Sequence, residues 1–131
     1  MNLLYPLAKR FIAGHDFDSA KPKIAKLMDE GYEVSIDYLG EKSSNQEDCV
    51  KARRQYIKII NYYSDQKIDI SLKPSQLGLE IHPLLSYLNI STIAKLASRY
   101  GHTVRLDMED SSVTEITRNQ AMALNKKFGN V

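Results

Sequence analysis

The sequence predicts an α/β fold that is built on parallel strands. Three short segments alternate apolar and polar residues, as a strand with one buried face does, and they span residues 32–37, 68–73 and 103–107. Segments whose apolar residues recur at helical spacing separate these three. Strands that are joined through helices run parallel, so we expect their carboxyl ends to lie side by side at one edge of the sheet.

Length and composition are those of an ordinary globular protein. With 131 residues the chain is predicted as a single domain, residues 1–131. Its formal net charge is only +2, which argues against a nucleic-acid-binding protein. Cys49 is the single cysteine, so an internal disulfide is excluded, and its helical spacing with Ala52 and Tyr56 predicts a buried position.

The chain opens on a predicted amphipathic helix, residues 1–12. Leucines and Phe11 form one face, and Lys9 and Arg10 lie opposite. The segment lacks the uninterrupted apolar run of a signal peptide or a membrane span. Packing against the rest of the fold is the favoured use of its apolar stripe, and attachment to a membrane surface is the alternative.

Residues that commonly start and stop helices predict the second and third helices and the strand between them. Asp18 or Ser19 is expected to cap a second helix, with Pro22 in its first turn and Gly31 at its end. The first strand, residues 32–37, follows. Ser44 and Glu47 have the spacing of a capping box, which predicts the start of a third helix with one apolar face.

The second half of the chain repeats this pattern. The second strand ends at Lys73 because Pro74 cannot donate to a ladder, and residues 74–79 are predicted to form a loop. A helical region runs to Gly101, with Ser91 as the cap of a second helix if the region is broken. The third strand leads to another capping-box spacing, formed by Ser112 and Glu115, and to a last helix that ends at Gly129.

Charged residues end all three strands and form the candidate site. Asp37, Lys73 and Asp107 should meet at the carboxyl edge of the sheet, where α/β folds place their chemistry. A structural alternative stays open, in which the carboxylates merely neutralise Lys73. Glu109 shares the strand parity of Asp107 and is a weaker candidate, whereas Asp110 is favoured as a charge at a helix start.

Several other kinds of chemistry lose support. The three histidines, His15, His82 and His102, are widely separated and match no metal-ligand spacing, so no metal site is predicted. The chain also lacks GxGxxG, GxxxxGK[ST] and GxSxG motifs. Dinucleotide binding of the Rossmann type, P-loop phosphoryl transfer and α/β-hydrolase chemistry therefore lose their usual signatures.

Four segments, taken in order and spacing, resemble a known family. They are residues 10–14 (RFIAG), 37–41 (DYLGE), 71–79 (SLKPSQLGL) and 105–111 (RLDMEDS), and together they resemble the N-terminal half of the monofunctional bacterial proline dehydrogenases. The resemblance implies a partial (β/α)₈ barrel of the TIM type, with about three parallel strand–helix units after N-terminal helices. It also implies FAD as cofactor, oxidation of L-proline to pyrroline-5-carboxylate and a quinone as electron acceptor.

The resemblance also implies roles for particular residues. Lys73 matches the family lysine that lies beside substrate and flavin, and Asp107 matches the aspartate at the same active-site mouth. Asp37 and Glu41 fall in the family's DxLGE-type motif. Two residues depart from the family pattern, since His15 replaces a glutamate and Pro74 replaces a leucine.

The length of the chain limits what the resemblance implies. A complete (β/α)₈ barrel takes about 250 residues, and the family's arginine pair that grips the proline carboxylate has no counterpart here. We therefore expect these residues alone to bind no FAD and to be inactive, in a cytoplasmic protein that is peripheral to a membrane at most. The alternative is a non-catalytic α/β module that binds another protein or forms a homo-oligomer through open sheet edges.

Overall fold

A computed structural model describes residues 12–40 and 42–131. The chain divides into two compact units with their boundary between Val34 and Ser35, and each unit is described by itself. Apart from Ile12, the predicted opening helix, residues 1–12, lies outside the described residues, as does Glu41.

The first unit contains helix α1, Phe17–Asp29. Its cap is Asp16 rather than the predicted Asp18 or Ser19, because the Asp16 carboxylate accepts a hydrogen bond from the Ser19 backbone N–H at 2.7 Å. The Ser19 hydroxyl accepts in return from the Asp16 N–H at 3.1 Å, which completes a capping box. The helix starts earlier than predicted, so Pro22 lies inside it rather than in its first turn.

The second unit is an α/β structure around three parallel strands, as predicted. The strands are β1, Ser35–Asp37, β2, Asp69–Leu72, and β3, Thr103–Leu106, in the sheet order β1-β2-β3. Each is shorter than predicted, because β1 and β2 begin later, at Ser35 and Asp69, and β2 and β3 end earlier, at Leu72 and Leu106. In the described residues the sheet is open, which fits part of a TIM-type barrel and not a closed one.

Three helices and two short 3₁₀ helices connect and follow these strands. They are α2, Gln46–Tyr62, η1, Pro74–Leu77, α3, Pro83–Arg99, η2, Ser111–Val113, and α4, Thr114–Phe128. The predicted loop after β2 therefore contains a 3₁₀ helix, which ends at Gly78 with a φ of 104°. Helix α3 is continuous through Ser91, so the predicted break is absent.

Two predicted capping boxes are wrong in detail. Helix α2 is capped by Asn45, whose side-chain oxygen accepts from the Asp48 N–H at 3.0 Å, so the Ser44–Glu47 pair is not used. At the start of η2, Asp110 accepts from the Ser112 N–H at 2.9 Å. Asp110 therefore has the role at a helix start that the sequence favoured, whereas α4 begins after Val113 without a side-chain cap, so the Ser112–Glu115 pair is not used.

The sheet has one apolar and one polar face. Ile36, Ile70 and Val104 lie at one level of the ladder and are buried. Residues of the opposite parity are polar on all three strands: Ser35, Asp37, Asp69, Ser71, Thr103 and Arg105. Barrel enzymes place polar side chains of adjacent parallel strands together in their sites, so this polar face is where a site can form.

The chain after α4 returns to the sheet beside β3. The Val104 backbone N–H donates to the Asn130 carbonyl oxygen at 2.7 Å. The Asn130 side-chain amide donates to the carbonyl oxygens of Ala94 and His102, both at 3.1 Å. Asn130 therefore occupies the position next to β3 on the side away from β2.

Candidate active site

The structure brings together the three charged residues that end the strands. The Lys73 ammonium nitrogen lies 2.8 Å from Oδ2 of Asp37 and 3.0 Å from Oδ2 of Asp107. Asp37 is the last residue of β1, and the other two directly follow β2 and β3. We call Asp37, Lys73 and Asp107 the Lys73 cluster. Their convergence is as expected from the strand pattern, and their roles in catalysis stay predictions.

Asp107 is held on both of its carboxylate oxygens. The Ser71 hydroxyl donates to Oδ1 at 2.7 Å, and Lys73 donates to Oδ2. Burial by itself raises the pKa of this carboxyl group, but the hydrogen bonds from Ser71 and Lys73, with the charge of Arg105, outweigh burial and lower the pKa below its usual value. Asp107 is therefore a fixed carboxylate at neutral pH.

Lys73 is a fixed cation because the two neighbouring carboxylates stabilise its charged form. Burial alone would lower the pKa of its ammonium, but the hydrogen bonds and charges of Asp37 and Asp107 outweigh it and raise the pKa. An ammonium has three N–H donors, and two are engaged by these carboxylates. The third is available to a ligand, since 29% of the side chain is exposed.

Asp37 has unused hydrogen-bonding capacity. Its Oδ2 accepts from Lys73, whereas its Oδ1 is buried and has no hydrogen-bond partner among the described residues. A buried carboxylate oxygen without a donor is costly, and such atoms commonly mark a place for a water molecule or a ligand. The Lys73 cluster therefore offers both a donor and an acceptor.

Glu109 lies apart from this cluster, although its strand parity is that of Asp107. Its carboxylate accepts from the Ser75 backbone N–H at 2.9 Å and also from the Ser75 hydroxyl. The chain leaves the strand geometry after Leu106, so parity no longer decides where the Glu109 side chain points. Glu109 thus anchors η1 to the segment after β3.

A second polar group lies on the same three strands, nearer their amino ends. Asp69 accepts from the Ser35 hydroxyl at 2.6 Å and from the Thr103 hydroxyl at 2.7 Å, and Arg105 lies 3.0 Å from its Oδ2. We call these four residues the Asp69 cluster. Strand register explains it, since Ser35, Asp69 and Thr103 are direct neighbours across the ladder.

Pattern analysis missed three polar residues around the Lys73 cluster. Ser71, Tyr56 and Gln76 are all buried. The Tyr56 hydroxyl lies 3.2 Å from the Ser71 carbonyl oxygen. Burial, followed by the charge of Asp37, raises the pKa of Tyr56, so its hydroxyl stays protonated and can act as a donor. Ser71 could have been found from the sequence, because it shares the strand parity of Lys73. Tyr56 could not, because it has the helical spacing of an ordinary core residue.

Two of the three histidines have defined structural positions. His82 caps α3 through its Nδ1, which accepts from the Leu84 N–H at 3.1 Å, and His102 is fully buried. Within residues 12–40 and 42–131 no group of three His, Cys, Asp or Glu side chains could hold a metal ion. No helix in the described part of the chain is long and apolar enough to cross a membrane.

The sequence was compared with protein-family models and with curated proteins, and both comparisons find the same family. The family model for proline dehydrogenase matches residues 20–130. Proline dehydrogenase 2 of Bacillus subtilis (strain 168) is 32% identical over 126 residues, which cover 95% of this chain and 42% of the relative. Proline dehydrogenase of Deinococcus radiodurans is 30% identical over 131 residues, with 96% and 42% covered.

A further relative gives the same result. Proline dehydrogenase 1 of Bacillus subtilis (strain 168) is 30% identical over 112 residues, or 84% of this chain and 37% of the relative. The chain spans about two fifths of the length of these curated relatives. Because the family model covers most of its residues, the chain belongs to the proline dehydrogenase family.

Proposed function

We propose that this chain forms part of a proline dehydrogenase that oxidises L-proline to pyrroline-5-carboxylate. One observation carries the proposal. In a chain of this family, a lysine ammonium is held by two carboxylates at the carboxyl ends of three adjacent parallel strands, the edge where barrel enzymes place their catalytic residues.

The side chains of the cluster would have separate roles. Lys73 keeps one N–H for an acceptor on substrate or cofactor, and its charge is fixed by Asp37 and Asp107. Asp107 cannot turn freely, since Ser71 and Lys73 hold its two oxygens, so it orients the groups around the ring of the substrate. Lys73 and Asp107 are thus the proposed catalytic residues.

The proline dehydrogenase family is generally FAD-dependent, and the Lys73 cluster fits contact with one edge of a flavin. The unshared N–H of Lys73 and the unpartnered Oδ1 of Asp37 provide a donor and an acceptor for its polar atoms. FAD, when bound, supplies the two-electron acceptor for proline oxidation. We further propose a quinone as the final acceptor and a cytoplasmic protein that is at most peripheral to a membrane.

Residues 1–131 alone are proposed to be inactive. Lys73 is the only cation in its cluster and is already shared by two carboxylates. Arg105, whose guanidinium lies on the polar face, is bonded to Asp69. A guanidinium binds a substrate carboxylate through two parallel hydrogen bonds, which a single ammonium cannot reproduce.

The experiment compares this chain with a chimaera in which it replaces the matching part of Bacillus subtilis proline dehydrogenase 2. Both are purified with FAD, and flavin absorbance near 450 nm and proline-dependent dye reduction are measured. We expect no activity from residues 1–131 and activity from the chimaera. Activity of the isolated chain would contradict the proposed inactivity. A folded, flavin-loaded chimaera that leaves proline unoxidised would contradict the proposed function.

A homo-oligomer through open sheet edges stays a separate prediction. In the described sheet β1 has a neighbour on one side only, and Asn130 bonds to just one residue of β3. Sedimentation velocity over the micromolar range measures the oligomeric state, and a monomer throughout that range would contradict the prediction.

A further inference from the structure

A buried glutamine joins the segments that follow β1 and β2. Gln76 lies in η1 with 3% of its surface exposed. Its side-chain Nε2 donates to the Tyr38 carbonyl oxygen at 3.1 Å, and its Oε1 lies 3.3 Å from the Tyr56 hydroxyl. Its backbone carbonyl oxygen also accepts from the Ser43 hydroxyl at 2.5 Å. One amide therefore connects η1, α2 and the backbone after β1, and we call these contacts the Gln76 bridge.

The Gln76 bridge holds the residue next to Asp37. Strand β1 has only three residues, and Asp37, opposite Ser71, is its last. Tyr38 follows at once, so its bond to Gln76 is the first anchor beyond the ladder. Lys73 precedes η1 directly. The bridge thus fixes the backbone of Asp37 relative to that of Lys73, and their side chains meet at 2.8 Å.

Two neighbouring contacts fit this function. The rings of Tyr38 and Tyr56 pack edge to face, with centroids 6.0 Å apart. At Gly40 a Cβ atom would overlap Nε2 of Gln76, so glycine leaves the room that the amide needs. The segment after β1 is therefore shaped around the Gln76 side chain.

We propose that Gln76 is a positioning residue, which keeps Asp37 in contact with the Lys73 ammonium by holding the end of β1. Its importance for catalysis rests on the proposed function, whereas its effect on the Asp37–Lys73 pair does not. An amide suits this position because it donates to a carbonyl oxygen and accepts from a hydroxyl, which neither leucine nor a carboxylate can do.

The chain offers a matched control in Gln120. This glutamine is also buried, accepts from the Ser86 hydroxyl at 3.3 Å and donates to the Pro83 carbonyl oxygen at 2.9 Å. Its contacts have the same chemistry as the Gln76 bridge, but neither involves the Lys73 cluster. Gln76→Leu and Gln120→Leu therefore remove equivalent hydrogen bonds, and only the first should act on Lys73.

The first measurement is the pKa of Lys73 in residues 1–131. An NMR titration of its Cε–Hε groups through alkaline pH determines this pKa. In Gln76→Leu we expect a downward shift that is smaller than that in Asp37→Asn, because the first change displaces the Asp37 carboxylate from the ammonium whereas the second removes its charge. Gln120→Leu should leave the pKa of Lys73 unchanged. If Gln76→Leu does not fold, Gly40→Ala displaces the same amide without removing it and should produce a shift in the same direction.

The second measurement uses the chimaera and the variant Gln76→Glu. Burial raises the pKa of a glutamic acid, and the protonated acid can donate to Tyr38 as the amide does. Proline oxidation by Gln76→Glu should therefore approach the wild-type rate near pH 5 and fall below it near pH 8, whereas Gln76→Leu stays slow at both.

The two measurements separate the two proposals. An unchanged pKa of Lys73 in folded Gln76→Leu or Gly40→Ala would overturn the role of Gln76. If that pKa shifts in residues 1–131 but the chimaera binds FAD without oxidising proline, the positioning role is supported and the proposed function is overturned. An equal shift in Gln120→Leu would show that the loss of any buried hydrogen bond disturbs Lys73. That result would also overturn the positioning role of Gln76.

Discussion

The Lys73 cluster and the Asp69 cluster occupy the same polar face but differ in how fully their hydrogen bonds are used. In the Asp69 cluster a carboxylate lies at the centre, and two hydroxyls and a guanidinium surround it. In the Lys73 cluster a cation lies at the centre between two carboxylates. The first is electrically balanced, and both oxygens of its central carboxylate are bonded, so that its spare N–H groups belong to the exposed guanidinium of Arg105. The second is net negative and retains a buried carboxylate oxygen of Asp37 that has no donor among the described residues.

The two clusters show how a structural group of charges differs from a candidate site. Both clusters contain charged residues on neighbouring strands, so charge alone does not distinguish them. A buried polar atom without a partner does, because such an atom is costly unless a water molecule or a ligand bonds to it, and of the two clusters only the Lys73 cluster has one among the described residues. The following predictions test whether the two clusters differ in this way.

The largest effect is expected for Lys73→Met, which leaves Asp37 and Asp107 facing each other without a cation. We expect the free energy of unfolding to fall by about 2 kcal/mol, less than for a fully buried pair, since these side chains are about 30% exposed. Urea denaturation measures it. Lys42→Met is the control, because Lys42 pairs with Glu80 at a far more exposed place and should cause no measurable change. Equal stability of wild type and Lys73→Met would contradict the prediction.

A smaller effect, with a defined pH dependence, is expected for Asp107→Asn. Because the pKa of Asp107 is lowered in the fold, its carboxylate stabilises the protein above the unfolded-state value of about 4, and this contribution disappears as the pH falls through the lowered pKa. We expect destabilisation by about 1.5 kcal/mol at pH 7 that shrinks towards pH 3. Urea midpoints at several pH values measure it, and a pH-independent difference would argue against the ion pair.

The smallest effect compares one serine from each cluster. Ser71→Ala removes the donor to Oδ1 of Asp107 in a buried place and should cost about 1 kcal/mol while raising the pKa of Asp107. Ser35→Ala leaves Asp69 with Thr103 and Arg105, so its cost should stay below about 0.5 kcal/mol. Thermal unfolding and NMR titration measure both. A larger loss in Ser35→Ala would reverse the comparison.

The strand pattern predicted the parallel sheet and the convergence of Asp37, Lys73 and Asp107, because both follow from side-chain alternation and from parallel connections. Helix starts were less predictable. Asp16, Asn45 and Asp110 became caps through local side-chain geometry, in competition with equally suitable neighbours.

The role of Gln76 could not be predicted from sequence. Its side-chain partners lie 20 and 38 residues away, and only the folded backbone brings them together. The contact of Glu109 with Ser75 was likewise not predictable, since strand parity ceases to apply once the strand has ended. Pattern reasoning thus works along regular elements and fails at the turns between them, where much of this candidate site lies.

The register of the sheet has a consequence for how the protein folds. Ser35 and Asp69, and likewise Asp69 and Thr103, are neighbours although 34 residues separate them in the chain. In the described sheet each strand pairs with the strand that precedes it in the chain. Asn130 extends this order, since it bonds to β3 on the side away from β2. Loop closure therefore costs a similar entropy at each step. The spatial order of the strands thus follows their order of synthesis, and the two strands that carry Asp37 and Lys73 precede the one that leads to Asp107.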